Sequence, residues 1–251
     1  MMNNLQHLTQ LLDHAFKDKP NNQALVGLDN VINYNQLYDN SICLANYFSA
    51  NIGKGTVAIM VPNLLAFPVS LFGVWYADRT ATLINPLYTS DEVLKQCLDA
   101  QVTTIIIAKV FYKTLLPMLK KTQIKHVIIV EVGDLQPTIK RHIVNLITCF
   151  KRKIFLIKKH SGINYIALNK VLKNYSNHLE NKVLENEVAL LQYTGGTSGV
   201  LKAATLTHEN ILANIHQLEQ WLPKDINENS SILTALPLYH IFALTINCLL
   251  F

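Results

Sequence analysis

The stretch Tyr193-Thr194-Gly195-Gly196-Thr197-Ser198-Gly199-Val200-Leu201-Lys202 lies between two apolar segments, Val188–Tyr193 and Lys202–Leu206. Both flanks carry the short, β-prone composition of buried strands. Three glycines within five residues let the main chain turn inward and present N–H donors unobstructed by side chains. Thr194, Thr197 and Ser198 add hydroxyl donors, and Lys202 adds a cation able to reach phosphate oxygens. The pattern points to a polyphosphate held in a strand–loop–strand nest. A Walker-type loop is excluded by spacing: after four intervening residues Gly195 is followed by Val200 and Gly196 by Leu201, where a Gly-Lys-Ser/Thr run is needed. A polar surface turn is the simpler alternative, and the density of donors argues against it.

Working outward, strands alternate with helices. Thr207 can cap a helix whose apolar stripe is Ile211, Leu212, Ile215, Leu218 and Leu222. Ala24–Val26 and Val31–Tyr34 flank Leu28-Asp29-Asn30 as a hairpin. Asn33 can cap the next helix, with Gln36 reaching back and Leu37, Ser41, Leu44, Ala45 and Phe48 on its buried side. Val57–Val61 reads as a strand leading into a helix with Leu64, Phe67, Leu71 and Trp75, and Thr82–Ile84 as the next strand. Ser90 is the expected cap of a helix with Asp91 and Glu92 in its first turn, the charge sign that the helix dipole favours. Thr104–Ile107 and His126–Val130 bracket an expected helix containing Leu115, Leu116 and Leu119. The alternation predicts an α/β fold of βαβ units with a largely parallel, buried sheet.

Composition agrees with an enzyme-sized core: 251 residues, 50% of them hydrophobic. Cys43, Cys97, Cys149 and Cys248 are scattered without metal-binding spacing, which points to a reducing, cytoplasmic compartment rather than a disulfide framework. The N-terminus lacks the layout of a signal peptide. Two uncharged runs, 57–77 and 232–251, are long enough to cross a bilayer. Pro62 and Pro68 interrupt the first and Pro237 the second, so each is expected to divide into shorter elements.

Charge is uneven. Nine of the 22 Lys and Arg (Lys140, Arg141, Lys151, Arg152, Lys153, Lys158, Lys159, Lys170 and Lys173) fall within Leu135–Leu179, which holds none of the 17 acidic residues. Ile143, Val144, Leu146, Ile147, Phe150, Phe155 and Ile157 are interleaved with them. A basic amphipathic element suits an anionic membrane surface on the inner face of the cell membrane; a solvated insertion without a partner is the competing reading. Nucleic acid is disfavoured, because no binding fold or stacking aromatic set accompanies the charge.

Residues Tyr193–Ala204, continued by Leu206-Thr207-His208-Glu209-Asn210, resemble the phosphate-loop signature of the adenylate-forming (AMP-binding) enzymes. Two further stretches narrow the resemblance: Val61-Pro62-Asn63-Leu64-Leu65 running to Asn85-Pro86-Leu87-Tyr88-Thr89, and Ala235-Leu-Pro-Leu-Tyr-His-Ile-Phe-Ala-Leu-Thr-Ile-Asn247. Together they are similar to bacterial long-chain fatty-acid–CoA ligases from about Gln23 onward. The resemblance implies the α/β N-terminal domain of those enzymes. It also implies ATP, Mg²⁺ and coenzyme A (as co-substrate), and a long-chain fatty acid converted to acyl-adenylate and then to a thioester. By the same resemblance, Tyr193, Thr194, Gly195, Gly196, Thr197, Ser198, Gly199, Val200, Leu201 and Lys202 grip the phosphates, and His240 stands beside the acyl carboxylate. Phe242 and Ala243 would begin an acyl wall.

Departures accompany the likeness. Ala203 and Asp78 stand where such enzymes carry glycine, and Ala203 in a left-handed conformation would misplace Lys202. Relatives are longer: their Tyr-Gly-x-Thr-Glu motif, ribose-binding aspartate and mobile C-terminal domain are not in this sequence. Residues 1–251 are therefore expected to form an incomplete N-terminal AMP-binding domain with a basic variable insertion over 135–179. On this reading the ligase is inactive alone and completed by a separate chain carrying the C-terminal part. A non-catalytic nucleotide- or lipid-binding remnant is the alternative from another class, and an adenylate-forming enzyme for aryl or amino acids is a third reading.

Overall fold

The first hairpin, β1 (Gln23–Gly27) and β2 (Asn30–Asn33), turns through Leu28 and Asp29, both with positive φ, as a two-residue primed turn requires. The computed structural model describes residues 5–154, 156–178, 184–194, 201–223, 226–227 and 230–251. Ahead of the hairpin, α1 (Thr9–Asp18) packs on the helices that follow.

A seven-stranded sheet forms the centre, in the order β7-β6-β5-β3-β4-β8-β9. Its strands are β3 (Thr56–Met60), β4 (Ala81–Leu83), β5 (Val102–Ala108), β6 (His126–Val130), β7 (Asn164–Ala167), β8 (Val188–Thr194) and β9 (Lys202–Thr207). Every pairing is parallel except β8 with β9, the two strands that flank the glycine-rich loop. The predicted parallel α/β architecture is therefore the one observed.

Period-two alternation sorts the strands between two cores. Val57, Ile59 and Val61 face one cluster, while Ala58 and Met60 face the other. The first face is covered by α2 (Tyr34–Asn51), α3 (Ala66–Tyr76), α7 (Leu168–Asn174) and α8 (His208–Trp221). The second is covered by α4 (Ser90–Asp99) and the short α5 (Tyr112–Leu115). β3 lies between β4 and β5, so the chain crosses to opposite sides of it through α3 and α4, a topological switch.

Local chemistry explains the helix ends. Asn33 and Gln36 form the predicted capping box of α2, and all five expected inward residues are buried. Thr207 caps α8 in the same way with Asn210. For α4 the expected cap was one residue too late: Thr89 accepts from Glu92 N and Glu92 answers the Thr89 backbone, leaving Ser90 as the first helical residue. The Ser90 hydroxyl instead donates to Thr114 O at 2.7 Å. The single helix expected over Leu115–Leu119 is replaced by short turns, Lys109–Phe111, Tyr112–Leu115 and Leu119–Lys121.

All eleven residues of α3 are buried, which explains an apolar run that mimics a membrane span. Its end is a Schellman turn: Arg79 N donates to Val74 O at 3.2 Å and Asp78 N to Trp75 O at 2.9 Å. Asp78, with φ of 61°, occupies the position glycine usually takes. Its carboxylate accepts from Glu185 N (2.9 Å) and Asn186 N (2.8 Å), tying the helix end to the segment entering β8. Arg79 turns its guanidinium onto the Ile52 carbonyl at 2.6 Å and the Gly53 carbonyl, beyond the C-terminal end of α2. Among the described residues no helix is long and apolar enough to cross a membrane.

The basic segment contributes three elements. α6 (Thr138–Arg152) buries none of its residues and leaves Ile139, Ile143, Leu146 and Ile147 exposed. β7 and α7 join the sheet and the first core, so only α6 stands apart from them. Gln136 and Asn30 tie its start to the hairpin, by Nε2 to Gly27 O at 3.0 Å and by Nδ2 to Leu135 O at 2.7 Å.

Candidate functional site

Because β3, β4 and β8 are adjacent and parallel, their C-terminal ends open on one edge of the sheet. Ligands of open parallel sheets bind outside that edge, near the switch in strand order. Three sequence stretches lead there: Pro62-Asn63 after β3, Asn85-Pro86-Leu87-Tyr88 after β4, and Thr194 at the end of β8.

The loop's flanks are described and its centre is not. Gly195, Gly196, Thr197, Ser198, Gly199 and Val200 lie outside the described residues. Thr194 and Lys202 face each other across the last β8–β9 pair, both exposed, so a hydroxyl and an ammonium stand at the loop's mouth. Leu201 is half-buried against the second core. Tyr193 is buried in that core, with its hydroxyl on the Asp99 carboxylate at the end of α4. Burial and that carboxylate push its phenol well above the usual range. The Tyr193 ring thus anchors the strand, while its main chain leads into the loop. Ala203 pairs with Tyr193 in the ladder and is not among the residues of positive φ. The strain envisaged for alanine at this position does not arise.

His240 follows the turn Pro237-Leu238-Tyr239, where its N–H donates to Pro237 O at 3.0 Å. The imidazole is exposed, and its ring stands tilted on Tyr239 with centroids 4.7 Å apart. Ile241–Ala243 forms one helical turn and Leu244–Leu250 a π-helical one, so the run 232–251 is a loop plus short helical turns. Ala243 is buried in the first core, whereas Phe242 is 61% exposed.

Two residues without an assigned role hold this turn. Asn63 donates to Thr234 O (3.1 Å) and Leu236 O (2.9 Å) and accepts from Leu238 N (2.9 Å). Gln192, on β8 two residues before Thr194, donates to Tyr239 O at 3.4 Å. A polar residue inside the apolar run Val188–Tyr193 was the available signal for Gln192. For Asn63 no local pattern exists, since its partners lie more than 170 residues away. Burial raises the phenol of Tyr88, after β4, above its usual range. Beside Asn63 and Leu238 opens a groove of about 1540 Å³, lined also by Leu64, Leu65, Asn247 and Leu250.

Among the described residues no three His, Cys, Asp or Glu side chains could jointly hold a metal ion.

Comparison with known proteins agrees with this geometry. The chain is 38% identical over 252 residues to a long-chain-fatty-acid–CoA ligase of Salmonella typhimurium, spanning 98% of this chain and 45% of that protein. It is 30% identical over 241 residues to one of Bacillus subtilis, spanning 95% and 43%. Among solved structures, a long-chain-fatty-acid–CoA ligase from Archaeoglobus fulgidus superposes with a TM-score of 0.72 at 23% identity, covering 95% of this chain and 44% of that one. The chain thus spans less than half the length of these relatives. The AMP-binding enzyme model matches residues 12–251, and the chain belongs to that family.

Proposed function

We propose that this chain is the N-terminal part of an ATP-dependent long-chain fatty-acid–CoA ligase. In the first step a fatty-acid carboxylate attacks the α-phosphorus of ATP, forming acyl-adenylate and releasing pyrophosphate. In the second, the thiol of coenzyme A attacks the acyl carbon and AMP leaves. The observation that carries the reading is a link at one sheet edge: β8, which leads to Thr194 opposite Lys202, is bonded through Gln192 to Tyr239 of the turn that presents an exposed His240. Residues Thr194–Lys202 would neutralise and orient the phosphates, a task that is mostly positioning and charge stabilisation. His240 would donate a hydrogen bond to the carboxylate or phosphate oxygens. Mg²⁺, when bound on the phosphates, spreads the charge that develops on them. Relatives that are long-chain ligases, matched over nearly the whole chain, favour a fatty acid over an aryl or amino acid. The departure at Ala203 does not favour a non-catalytic remnant, since an extended strand accepts alanine.

Pyrophosphate exchange dependent on palmitate tests the proposal. The chain is assayed alone and with a second polypeptide supplying the remaining length of the ligases. Exchange is expected only with the complement. No exchange in either case, together with no calorimetric binding of ATP, overturns it.

We also propose that α6 contacts an anionic membrane surface. Four exposed aliphatic side chains share a helix that ends in exposed Lys151, Arg152 and Lys153. Each such cation contributes about 1 kcal/mol near anionic lipid. Flotation with anionic vesicles, lost at high salt and absent with neutral ones, is the expected result; equal binding to both defeats it.

A further inference from the structure

We infer that Asn63 is a positioning residue that registers the His240 turn against the sheet edge where β8 ends at Thr194, with Gln192 as a second hold. For its catalytic consequence this rests on the function proposed above; its structural part stands alone. Between β9–α8 and the final helical turns, the described residues 230–240 contain no strand or helix. Backbone groups in such a segment must find partners elsewhere. Local bonds are few: Ala235 N to Leu233 O at 2.9 Å and His240 N to Pro237 O at 3.0 Å. Pro237 itself has no N–H to donate. Asn63 spans this weak point, taking the carbonyl before Pro237 and the amide after it. One carboxamide thereby uses both its donor hydrogens and its acceptor on three main-chain groups.

The platform beneath it is rigid. Asn63 follows β3 by three residues and precedes α3, whose residues are all buried. Gln192 reaches the same turn from β8, which β4 separates from β3 in the sheet. The turn before His240 is thus held from β8 and from the segment that follows β3. No other side chain could replace Asn63 simply. Aspartate would set a carboxylate oxygen against two carbonyls, and glutamine would overshoot by one methylene, about 1.5 Å.

Hydrogen exchange read by mass spectrometry on the whole chain tests the hold. Asn63→Ala, Asn63→Asp and Asn63→Gln are compared with Asn40→Ala, an asparagine whose side chain bonds Gln36 O within α2. Amides of 232–244 should exchange about tenfold faster in the Asn63 variants and unchanged in the control. Exchange within twofold of wild type in all three overturns the inference. If Asn63→Ala does not fold, Gln192→Ala and Asn63→Gln carry the same comparison. The second readout is the His240 ring resonance, assigned with His240→Gln. ATP should shift it in wild type and shift it less in Asn63→Ala, while calorimetric ATP affinity stays within about threefold. An equal ATP response in Asn63→Ala overturns the positioning role. A wild-type ring that ignores ATP defeats the proposed function instead, leaving the exchange result to judge the hold.

Discussion

Substitution of Asp78 by glycine, alanine and asparagine separates two opposing effects at the end of α3. The left-handed conformation at φ 61° costs a side chain about 1 kcal/mol, which glycine avoids. Against this, the carboxylate accepts two main-chain hydrogen bonds, at 2.9 and 2.8 Å from Glu185 and Asn186. Charged hydrogen bonds contribute about 1.5–3 kcal/mol when buried; half-exposure reduces each to about 1 kcal/mol here. Asp78→Gly therefore gains about 1 and loses about 2 kcal/mol, a net destabilisation of about 1 kcal/mol. Asp78→Ala loses the bonds and tolerates the backbone less well than aspartate, so it should cost about 3 kcal/mol. Asp78→Asn keeps one acceptor and the local backbone tolerance, at a cost of about 0.5–1 kcal/mol. Urea unfolding at pH 7 with unchanged slope gives the order: wild type, asparagine, glycine, alanine. A glycine variant about 1 kcal/mol more stable than wild type would refute the reasoning, because the carboxylate would then hold nothing.

A β-carbon at Gly73 would meet the Leu44 side chain at 2.8 Å where α3 crosses α2, so Gly73→Ala should destabilise by about 1–3 kcal/mol in urea; stabilisation by helix propensity would contradict the close approach. Lys202→Ala should weaken ATP binding about ten- to a hundred-fold by calorimetry, and an unchanged affinity would remove the lysine from the phosphate grip. His7 and His208 stack with centroids 3.5 Å apart, and burial holds their imidazoles down at about 4 and about 3. Their folded values lie below the unfolded value, so the unfolded chain takes up protons first. Stability is thus full well above about 6.5 and lost as pH falls below it, down to about 4 for His7 and about 3 for His208, with a slope approaching 1.4 kcal/mol per pH unit for each ring. His208→Gln should flatten that dependence; an equal slope in the variant would show that the pair does not govern it.

Much of the fold was legible because it is written in short-range patterns. The Asn33–Gln36 and Thr207–Asn210 caps, the β3 alternation and the hairpin at Leu28-Asp29 each depend on residues a few positions apart. The misplaced cap shows where this fails. Thr89 and Ser90 offer the same hydroxyl chemistry, and the choice fell to Thr89 because Glu92 stands three residues after it and Ser90 finds Thr114. The helix expected near Leu115 broke into turns because its leucines and Met118 fill a second core whose shape periodicity does not encode.

By itself the sequence determined most element types, the parallel α/β class and the residues of the loop with its hydroxyls and lysine, since periodicity and capping act locally. Only the tertiary structure decided that Tyr193 turns inward to Asp99 and that Asp78 binds the segment before β8. It alone decided, too, that Asn63 and Gln192 hold the turn bearing His240. Those bonds join groups 47 to 175 residues apart. Their partners are chosen by strand order and packing, which no window along the chain contains.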